Sequence, residues 1–438
     1  MSAIFISHSS RDNTWAERIR NCMEKHGYKG FFLDFDDRQG IEAGTEWRGK
    51  IYAELRRCRA VIALCSEHFV ASQWCLSEVA IATDQGKHLL PVRIGDGSLP
   101  NLVKPIQAID LRKDEQKGLE KLLRGLADHL DWKDKLAWPP SDRKPPVSPY
   151  PGLPAFQRED APVFFGRDGE IDEAVERLTR LRDRRIAMLT VLGASGCGKS
   201  SLMRAGILPC LRQDKASWLV LEPFIAGATE PFERLNDVLS AAFLEKGLTP
   251  PDPPRTAKGF LEPLRTLRRE CGQREASVVL ALDQFEELLQ PGERTRESGE
   301  LSEADQFVYF LADVAQRSDG LVMVMATMRS DFLGLLQLHP AGLRRLGDQY
   351  LLDPMLKEKF IPVIEGPALR AGLKVERDLS QRMADDTASG EALPLLAFTL
   401  EKLWKKYGKD GDLTLDEYKT SGGPVSYTHL TLPTNREV

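Results

Sequence analysis

The sequence predicts two α/β domains, each with a parallel β-sheet, followed by a mainly helical segment. Three observations support this fold class. Short apolar runs alternate with amphipathic stretches through residues 1–131, and the same alternation begins again near Val163. Strands that are separated by helices run parallel, with helices covering both faces of the sheet. Between the two domains, residues 132–158 hold the densest run of prolines in the chain, which indicates an extended linker.

The first domain, residues 1–131, shows strand and helix patterns in alternation. Five short apolar runs are predicted strands, at 3–6, 31–33, 60–65, 89–94 and 106–111. Stretches with apolar side chains at helical spacing are predicted helices, at 12–26, 47–55, 72–83 and 118–130. Open parallel sheets bind ligands at the carboxyl ends of their strands, so we expect a functional site of this domain at that edge.

The second domain, residues 159–365, is predicted to contain further buried strands, at 186–192, 278–282 and 321–327. From about Pro367 the pattern becomes mainly helical, including a helix at 393–406. Residues 366–424 are therefore expected to form a separate helical segment.

Composition narrows the function classes. The 438 residues carry 60 Lys and Arg against 65 Asp and Glu, a formal net charge of −5. This balance disfavours a nucleic-acid binder held by bulk charge. The longest apolar runs fall far short of the ~18 residues that a membrane span needs, and we identify no signal peptide. The seven cysteines lack metal-ligand pairing, which favours reduced thiols in a cytoplasmic protein.

The last residues look foreign to the protein. Val-Ser-Tyr-Thr-His-Leu at 425–430 is what CTGTCTCTTATACACATCT encodes in its third frame, and that DNA resembles the transposase end used in sequencing adapters. We interpret residues 425–438 as an adapter-derived tail and exclude them from fold reasoning. A genuine polar terminus is the alternative. If the tail is foreign, the natural protein continues beyond this sequence.

Residues 193–200, GASGCGKS, fit the phosphate-binding pattern G-x-x-x-x-G-K followed by Ser or Thr. Glycines let backbone amides wrap the phosphates, and the N-terminus of the following helix adds partial positive charge. Lys199 is expected to reach the β- and γ-phosphates of ATP, and the Ser200 hydroxyl to ligate Mg²⁺. The residues predicted to contact ATP or ADP here are Gly193, Ser195, Gly196, Gly198, Lys199, Ser200 and Ser201.

Two further elements are expected to complete this site. The strand 278–282 ends in Asp283, a carboxylate placed to hold Mg²⁺ through water. Glu286, preferred over Glu287, would polarise the attacking water, with a plain acidic helix start as the alternative for both. Arg329, at the end of the next strand, would pair with the γ-phosphate, with a surface ion pair as the alternative.

Residues 150–420 resemble the STAND class (signal-transducing ATPases with numerous domains), most closely the bacterial subgroup called novel STAND. Besides the phosphate loop, the matching segments are YPGLPAF at 150–156, EDA at 159–161, FFGRDGE at 164–170, LDQFEE at 282–287 and LPLL at 393–396. The resemblance implies an ADP-locked switch that oligomerises when a sensor detects a trigger. It also implies that Gly166 and Arg167 lie near the adenine and ribose. A winged helix is expected next, in which Pro394 contacts the nucleotide or simply starts a helix.

Residues 1–131 resemble TIR (Toll/interleukin-1 receptor) domains, whose flavodoxin-like fold has a five-stranded parallel sheet. The resemblance is carried by FISHSSRD at 5–12 and SEHFVASQWCLSEV at 66–79. Some TIR domains only bind other TIR domains. Others hydrolyse NAD⁺ at the nicotinamide–ribose bond with a Glu four residues after a Trp. Because Trp74 and Glu78 keep that spacing, the resemblance implies that Glu78 is catalytic.

The chemistry of this bond agrees with a carboxylate at that position. Cleavage passes through an oxocarbenium-like state, which a nearby carboxylate stabilises. His8 and Ser9, in the turn after the first strand, and Trp74 are expected to contact NAD⁺. The alternatives are a plain turn residue for His8 and a non-catalytic place on the helix surface for Glu78.

These observations and resemblances predict a cytoplasmic signalling protein whose TIR domain is an NAD⁺ nucleosidase and whose P-loop NTPase is the switch. We expect self-association through both domains, an unknown trigger bound by a missing C-terminal sensor, and no membrane or direct nucleic-acid partner. In bacteria the resemblance suggests innate immunity, as antiphage defence through NAD⁺ depletion or a cyclised ADP-ribose messenger. The main alternative is a non-enzymatic TIR scaffold under the same ATP/ADP switch. A third is a chain that shows neither activity without its sensor.

Overall fold

The computed structural model describes residues 4–26, 28, 31–33, 51–52, 54–55, 58–127, 130, 133, 136, 138–139, 147–227, 229–290, 301–342, 347–387 and 393–422. The chain divides into two compact units. The first comprises Met1–Tyr150, Ile364–Leu379 and Leu403–Tyr418, and the second comprises Pro151–Val363, Ser380–Lys402 and Lys419–Val438. Most of the predicted helix 47–55 and the whole tail 425–438 lie outside the described residues.

The first unit contains a five-stranded parallel sheet in the order β2-β1-β3-β4-β5, which confirms the predicted sheet. Its strands are β1 Ile4–Ser7, β2 Phe31–Phe32, β3 Ala60–Cys65, β4 His88–Arg93 and β5 Ile109–Asp110. The helices among them are Asn13–Lys25, Glu67–Ala71, Gln73–Asp84 and Glu115–Ala127. A short 3₁₀ turn, Ser10–Asp12, follows β1.

Alternate strand residues point to opposite faces of this sheet, and both faces are covered. Ile4 and Ile6 pack in one buried cluster, whereas Phe5 and Val61 pack in a second. A sheet that is buried on both faces has strands of nearly continuous apolar sequence, as in β3. This is why the first four strands can be predicted from apolar runs alone.

The second unit contains a parallel sheet in the order β11-β6-β10-β9-β7, with β8 paired to the end of β9. Its strands are β6 Met188–Gly193, β7 Trp218–Val220, β8 Phe224–Ile225, β9 Ser277–Asp283, β10 Val322–Arg329 and β11 Gly347–Leu351. The three predicted strands correspond to β6, β9 and β10. The pattern does not predict β7, β8 or β11, because the first two are very short and β11 is only partly buried.

Helices connect these strands. They are Asp168–Asp183, Lys199–Ser201, Leu208–Leu211, Pro231–Glu245, Ala257–Glu270, Glu286–Leu289, Glu303–Arg317 and Leu333–Leu338. A π-helical turn, Leu202–Ile207, joins the helix after the phosphate loop to its continuation. Among the described residues, the other 3₁₀ turns are Arg158–Val163, Ser330–Phe332 and Lys357–Lys359.

The last part of the chain is mainly helical, as predicted. Its helices are Phe360–Ala371, Arg377–Asp386, Leu393–Tyr407 and Leu415–Thr420, with β12 Lys374–Val375 and β13 Asp412–Leu413 in a parallel pair. Among the described helices, none combines the length and apolar character needed to cross a membrane.

Part of the proline-rich segment is anchored inside the first unit. The Tyr150 hydroxyl donates to the Ile364 carbonyl at 2.6 Å. Arg370 donates through Nη2 to the Lys133 carbonyl at 2.8 Å, and Trp138 is fully buried. These contacts join Lys133 and Tyr150 to the helix Phe360–Ala371.

Two candidate nucleotide sites

The first candidate site lies at the carboxyl end of β1. Ser7, the last residue of that strand, donates through Oγ to Oε2 of Glu78 at 2.5 Å. Glu78 lies on the helix Gln73–Asp84 and is 5% exposed. Its carboxylate is therefore held against the sheet edge, which excludes an exposed place on the helix surface.

Neighbouring contacts fasten this helix to the turn after β1. Ser72 caps the helix, since its Oγ accepts from the Cys75 amide at 3.3 Å. The same residue, Cys75, donates through its thiol to the His8 carbonyl at 3.4 Å. The structure thus brings His8 and Glu78, both predicted site residues, to the same edge.

The predicted residues His8, Ser9 and Trp74 also make contacts within the first unit. The buried His8 ring places Nε2 3.2 Å from Asn13 Oδ1. Ser9 caps the following turn, where its Oγ accepts from the Arg11 amide at 3.5 Å. The Trp74 ring lies 6.1 Å from the Tyr52 ring, centroid to centroid.

Sequence reasoning missed a second polar pair at this edge. Ser66, directly after β3, donates through Oγ to Asp12 Oδ2 at 2.6 Å, and both side chains are buried. The same Ser66 oxygen caps the helix Glu67–Ala71 by accepting from the Phe69 amide. The sequence offers one signal that could have identified Ser66 as a site residue: like Ser7, it lies where a strand of the sheet ends.

The second candidate site is built around the phosphate loop. Gly196 and Gly198 have φ angles of +74° and +94°, which favour glycine. A Cβ on Gly196 would lie 3.0 Å from Cγ of Pro394, so Pro394 lies beside the loop and also in the first turn of the helix Leu393–Tyr407. The Lys199 ammonium donates to the carbonyls of Gly193 at 3.0 Å and Ala194 at 2.7 Å. It therefore lies over the loop, where the predicted role requires it.

The two predicted metal-site residues meet at the end of β9. Asp283 Oδ1 accepts from Ser200 Oγ at 2.8 Å, from Thr327 Oγ1 at 2.5 Å and from the Gln284 amide at 3.1 Å. Asp283 Oδ2 accepts from Arg204 Nε at 2.9 Å. Hydroxyl and carboxylate oxygens are the ligands Mg²⁺ prefers, so this donor set fits that ion.

Glu286 and Arg329 also lie together. The buried Glu286 accepts through Oε2 from the Arg329 amide at 3.3 Å. The Arg329 guanidinium instead pairs with Asp331, with Nε to Oδ1 at 3.1 Å and Nη2 to Oδ2 at 2.5 Å. These hydrogen bonds raise the pKa of Arg329 and lower that of Asp331. Burial, followed by the charge of Glu286, raises the pKa of Glu287.

Arg167 supports the phosphate loop through a hydrogen bond to the loop backbone. It is buried and donates through Nη2 to the Cys197 carbonyl at 3.1 Å and through Nη1 to the Asp353 carbonyl at 3.1 Å. Nη1 also pairs with Glu170, which in turn pairs with Lys359 at 2.7 Å. Burial raises the pKa of Glu170, but hydrogen bonds from Lys359 and Arg167 outweigh it and leave that pKa lowered.

Close packing surrounds Gly166, the neighbour of Arg167. Its φ is +85°, and a Cβ there would lie 2.6 Å from Val363 Cγ2. The predicted proximity of Gly166 and Arg167 to the base and ribose stays a prediction. Arg167 does contact the phosphate loop, because it donates to the backbone carbonyl of Cys197.

Comparison with known families gives two matches. Residues 149–426 match the model described as "Novel STAND NTPase 1". Residues 4–123 match the model described as "TIR domain".

Relatives match parts of the chain. A 91-residue stretch is 25% identical to the probable 2′ cyclic ADP-D-ribose synthase BdTIR of Brachypodium distachyon, covering 20% of this chain and 39% of that protein. The TIR domain of the Toll-related receptor TRR-2 of Hydra magnipapillata matches with a TM-score of 0.26 and 15% identity, over 28% of this chain and 97% of that one. The Aeropyrum pernix ORC2 protein matches with a TM-score of 0.43 and 15% identity, over 66% of this chain and 71% of that one.

Proposed function

Because this chain belongs to the novel STAND NTPase 1 family and contains a TIR domain at residues 4–123, we propose that it is an NTP-switched signalling protein whose TIR domain cleaves NAD⁺. The bond broken is the one between nicotinamide and ribose. The observation that carries the proposal is the buried carboxylate of Glu78, held at the carboxyl edge of the sheet by Ser7. The name of the Brachypodium relative, a cyclic ADP-ribose synthase, agrees with this substrate.

The proposed mechanism needs one well-placed negative charge. As the bond from the ribose carbon to the nicotinamide nitrogen breaks, its electron pair stays with nicotinamide, which leaves neutral. The ribosyl group then carries positive charge, and the Glu78 carboxylate stabilises it. Either water or a hydroxyl of the same molecule then forms a bond to the ribose carbon and releases a proton, which gives a linear or a cyclic product. His8, Ser9 and Trp74 would bind and orient NAD⁺ around this carboxylate.

In the second domain we propose an ATP/ADP switch. Mg²⁺, when bound, would neutralise charge between the β- and γ-phosphates, and Ser200 and Asp283 would hold it. Lys199 would bind the same phosphates, Glu286 would orient water, and Arg329 would leave Asp331 to pair with the γ-phosphate. This geometry supports nucleotide binding at the loop.

The switch would act by assembly in the cytoplasm. A trigger bound by a sensor beyond this sequence would favour the ATP-bound, self-associating state, provided that the trigger binds this state more tightly. Self-association raises the local concentration of TIR domains. We propose innate immunity, as antiphage defence, for the resulting NAD⁺ loss or cyclic product.

NAD⁺ consumption tests the TIR assignment. The full chain would be concentrated on a crowding surface, and nicotinamide release would be followed for wild type, Glu78→Gln and Glu120→Gln. Glu120 is an exposed glutamate elsewhere in the same domain and serves as the matched control. We expect release by wild type and Glu120→Gln only. Release by Glu78→Gln at the wild-type rate would refute the assignment.

The second candidate function is a TIR scaffold that recruits protein partners without catalysis. The observation that favours it is exposed apolar surface after β4, where Leu102 is 44% and Ile106 36% exposed. A recruited protein partner would cover these two side chains. Folded, self-associating wild type that releases no nicotinamide would support this alternative.

A further inference from the structure

Arg204 occupies a place next to the proposed metal site that the nucleotide assignment does not explain. Its Nε donates to Asp283 Oδ2 at 2.9 Å, and the two side chains form an ion pair. Both are largely removed from solvent, with side-chain exposures of 15% for Arg204 and 3% for Asp283. A pair in such surroundings is screened far less than a surface pair.

The local fold fixes Arg204 in this position. Arg204 follows Ser200 by four residues, so both side chains emerge on one side of the helix and reach the same carboxylate. The π-helical turn Leu202–Ile207 contains Arg204, and such turns are frequent at functional sites. A Cβ on Gly206 would lie 2.8 Å from Ile171 Cγ1, so this turn packs directly against the helix Asp168–Asp183.

Arg204 occupies the less crowded oxygen of Asp283. Ser200, Thr327 and the Gln284 amide donate to Oδ1, whereas Arg204 alone donates to Oδ2. An ionised carboxylate offers about four lone-pair sites, two on each oxygen. A water bound to Mg²⁺ would therefore reach Asp283 at Oδ2, directly beside the guanidinium of Arg204. Mg²⁺ would also enter beside a positive charge that is already present.

We infer that Arg204 supplies a resident positive charge at the phosphate site, so that the chain holds a nucleoside diphosphate almost as firmly without Mg²⁺ as with it. This inference rests on the proposed nucleotide binding. It assigns Arg204 a positioning and charge-balancing role through Asp283. Removal of the guanidinium would free a lone pair of Asp283 for a metal-bound water and make diphosphate binding depend on Mg²⁺.

The test is ADP affinity of the full chain, measured by displacement of a fluorescent ADP analogue in millimolar Mg²⁺ and in excess EDTA. The variants are Arg204→Gln, Arg204→Lys and the control Arg212→Gln. Arg212 has the same 15% side-chain exposure but pairs with Glu222 instead of Asp283. We expect removal of Mg²⁺ to weaken ADP binding by less than about threefold in wild type, in Arg204→Lys and in the control. In Arg204→Gln it weakens binding by about tenfold or more.

Two results would overturn the inference. If EDTA weakens ADP binding by wild type as strongly as by Arg204→Gln, Arg204 does not replace the metal, although nucleotide binding stands. If wild type binds ADP under neither condition, the proposed nucleotide site fails together with the inference. Because the inference also predicts less than about threefold weakening by EDTA in wild type alone, a larger loss there overturns it even if Arg204→Gln does not fold.

Discussion

The two candidate sites each hold a buried carboxylate at the edge of a parallel sheet, but they hold it in different ways. Glu78 belongs to a helix and is fixed by the uncharged hydroxyl of Ser7. Asp283 ends a strand and pairs with the cation of Arg204. The proposed ligands also differ in charge, because cleavage of NAD⁺ develops positive charge whereas phosphates bring negative charge. A cation thus lies beside the proposed phosphates at Asp283, whereas a neutral hydroxyl makes the Ser7 contact that holds Glu78.

Removing one site at a time shows whether the two carboxylates serve separate activities. Glu78→Gln is expected to lower NAD⁺ cleavage by about 10²–10³-fold, because it removes the charge that stabilises the transition state. It should leave ADP affinity unchanged. Parallel assays of nicotinamide release and ADP binding on the clustered full chain provide the measurement.

Lys199→Ala supplies the reciprocal control. It should weaken ADP binding by about tenfold or more, since an ammonium on the phosphates is lost. Nicotinamide release on the crowding surface should persist. If either substitution abolished both activities in a folded chain, the two sites could not be treated as separate.

Ser7 gives an intermediate test of how Glu78 is held. Ser7→Ala removes a hydrogen bond to a charged group, which is worth about 1.5–3 kcal/mol. We expect kcat to fall by about tenfold or more with little change in KM, because the carboxylate is still present but less well placed. Ser77→Ala is the matched control, since Ser77 precedes Glu78 but bonds the Gln73 carbonyl on the exposed side of the helix. A rise in KM alone would show that Ser7 binds substrate instead of positioning Glu78.

The next largest effect is expected from a substitution that strains the backbone of the phosphate loop. Gly196→Ala places a Cβ at a φ of +74° and 3.0 Å from Pro394. This is expected to cost about 1–2 kcal/mol of stability and to weaken ADP binding. Gly169→Ala is the control, because open space surrounds that position in a helix. Equal thermal shifts for the two variants would contradict the proposed strain.

The smallest expected effect concerns buried thiols of the first unit. Burial raises the pKa of Cys58 and Cys65 from 9.0 to about 12. Unfolded thiols therefore lose protons first, so stability is intact well below pH 9 and falls as pH rises from 9 toward 12. Between pH 8 and 9 the two thiols together should lower the free energy of unfolding by about 0.7 kcal/mol, as measured by urea titration. A loss that persists in the double Cys58→Ala, Cys65→Ala variant would assign it to other groups.

Much of the fold could be predicted from sequence, for identifiable reasons. Strands such as β3 and β9 are buried on both faces, so they appear as unbroken apolar runs. The phosphate loop and Asp283 follow such strands directly. In contrast, β11 lies at a sheet edge with half-buried polar residues and gives no comparable signal.

The contacts within the sites were harder to predict. Ser7–Glu78 joins residues 71 positions apart, and Thr327–Asp283 joins residues 44 apart. Such pairs depend on strand order, here on β10 lying between β6 and β9. The sequence does show that Arg204 follows Ser200 by four residues, but that both side chains reach Asp283 depends on where the end of β9 lies.

The decisive measurement is nicotinamide release by the clustered full chain. We expect NAD⁺ loss with matching nicotinamide release by wild type and Glu120→Gln, and none above background by Glu78→Gln. If folded, self-associating wild type leaves NAD⁺ intact, or if Glu78→Gln consumes it as fast as wild type, the TIR domain does not cleave NAD⁺ through Glu78.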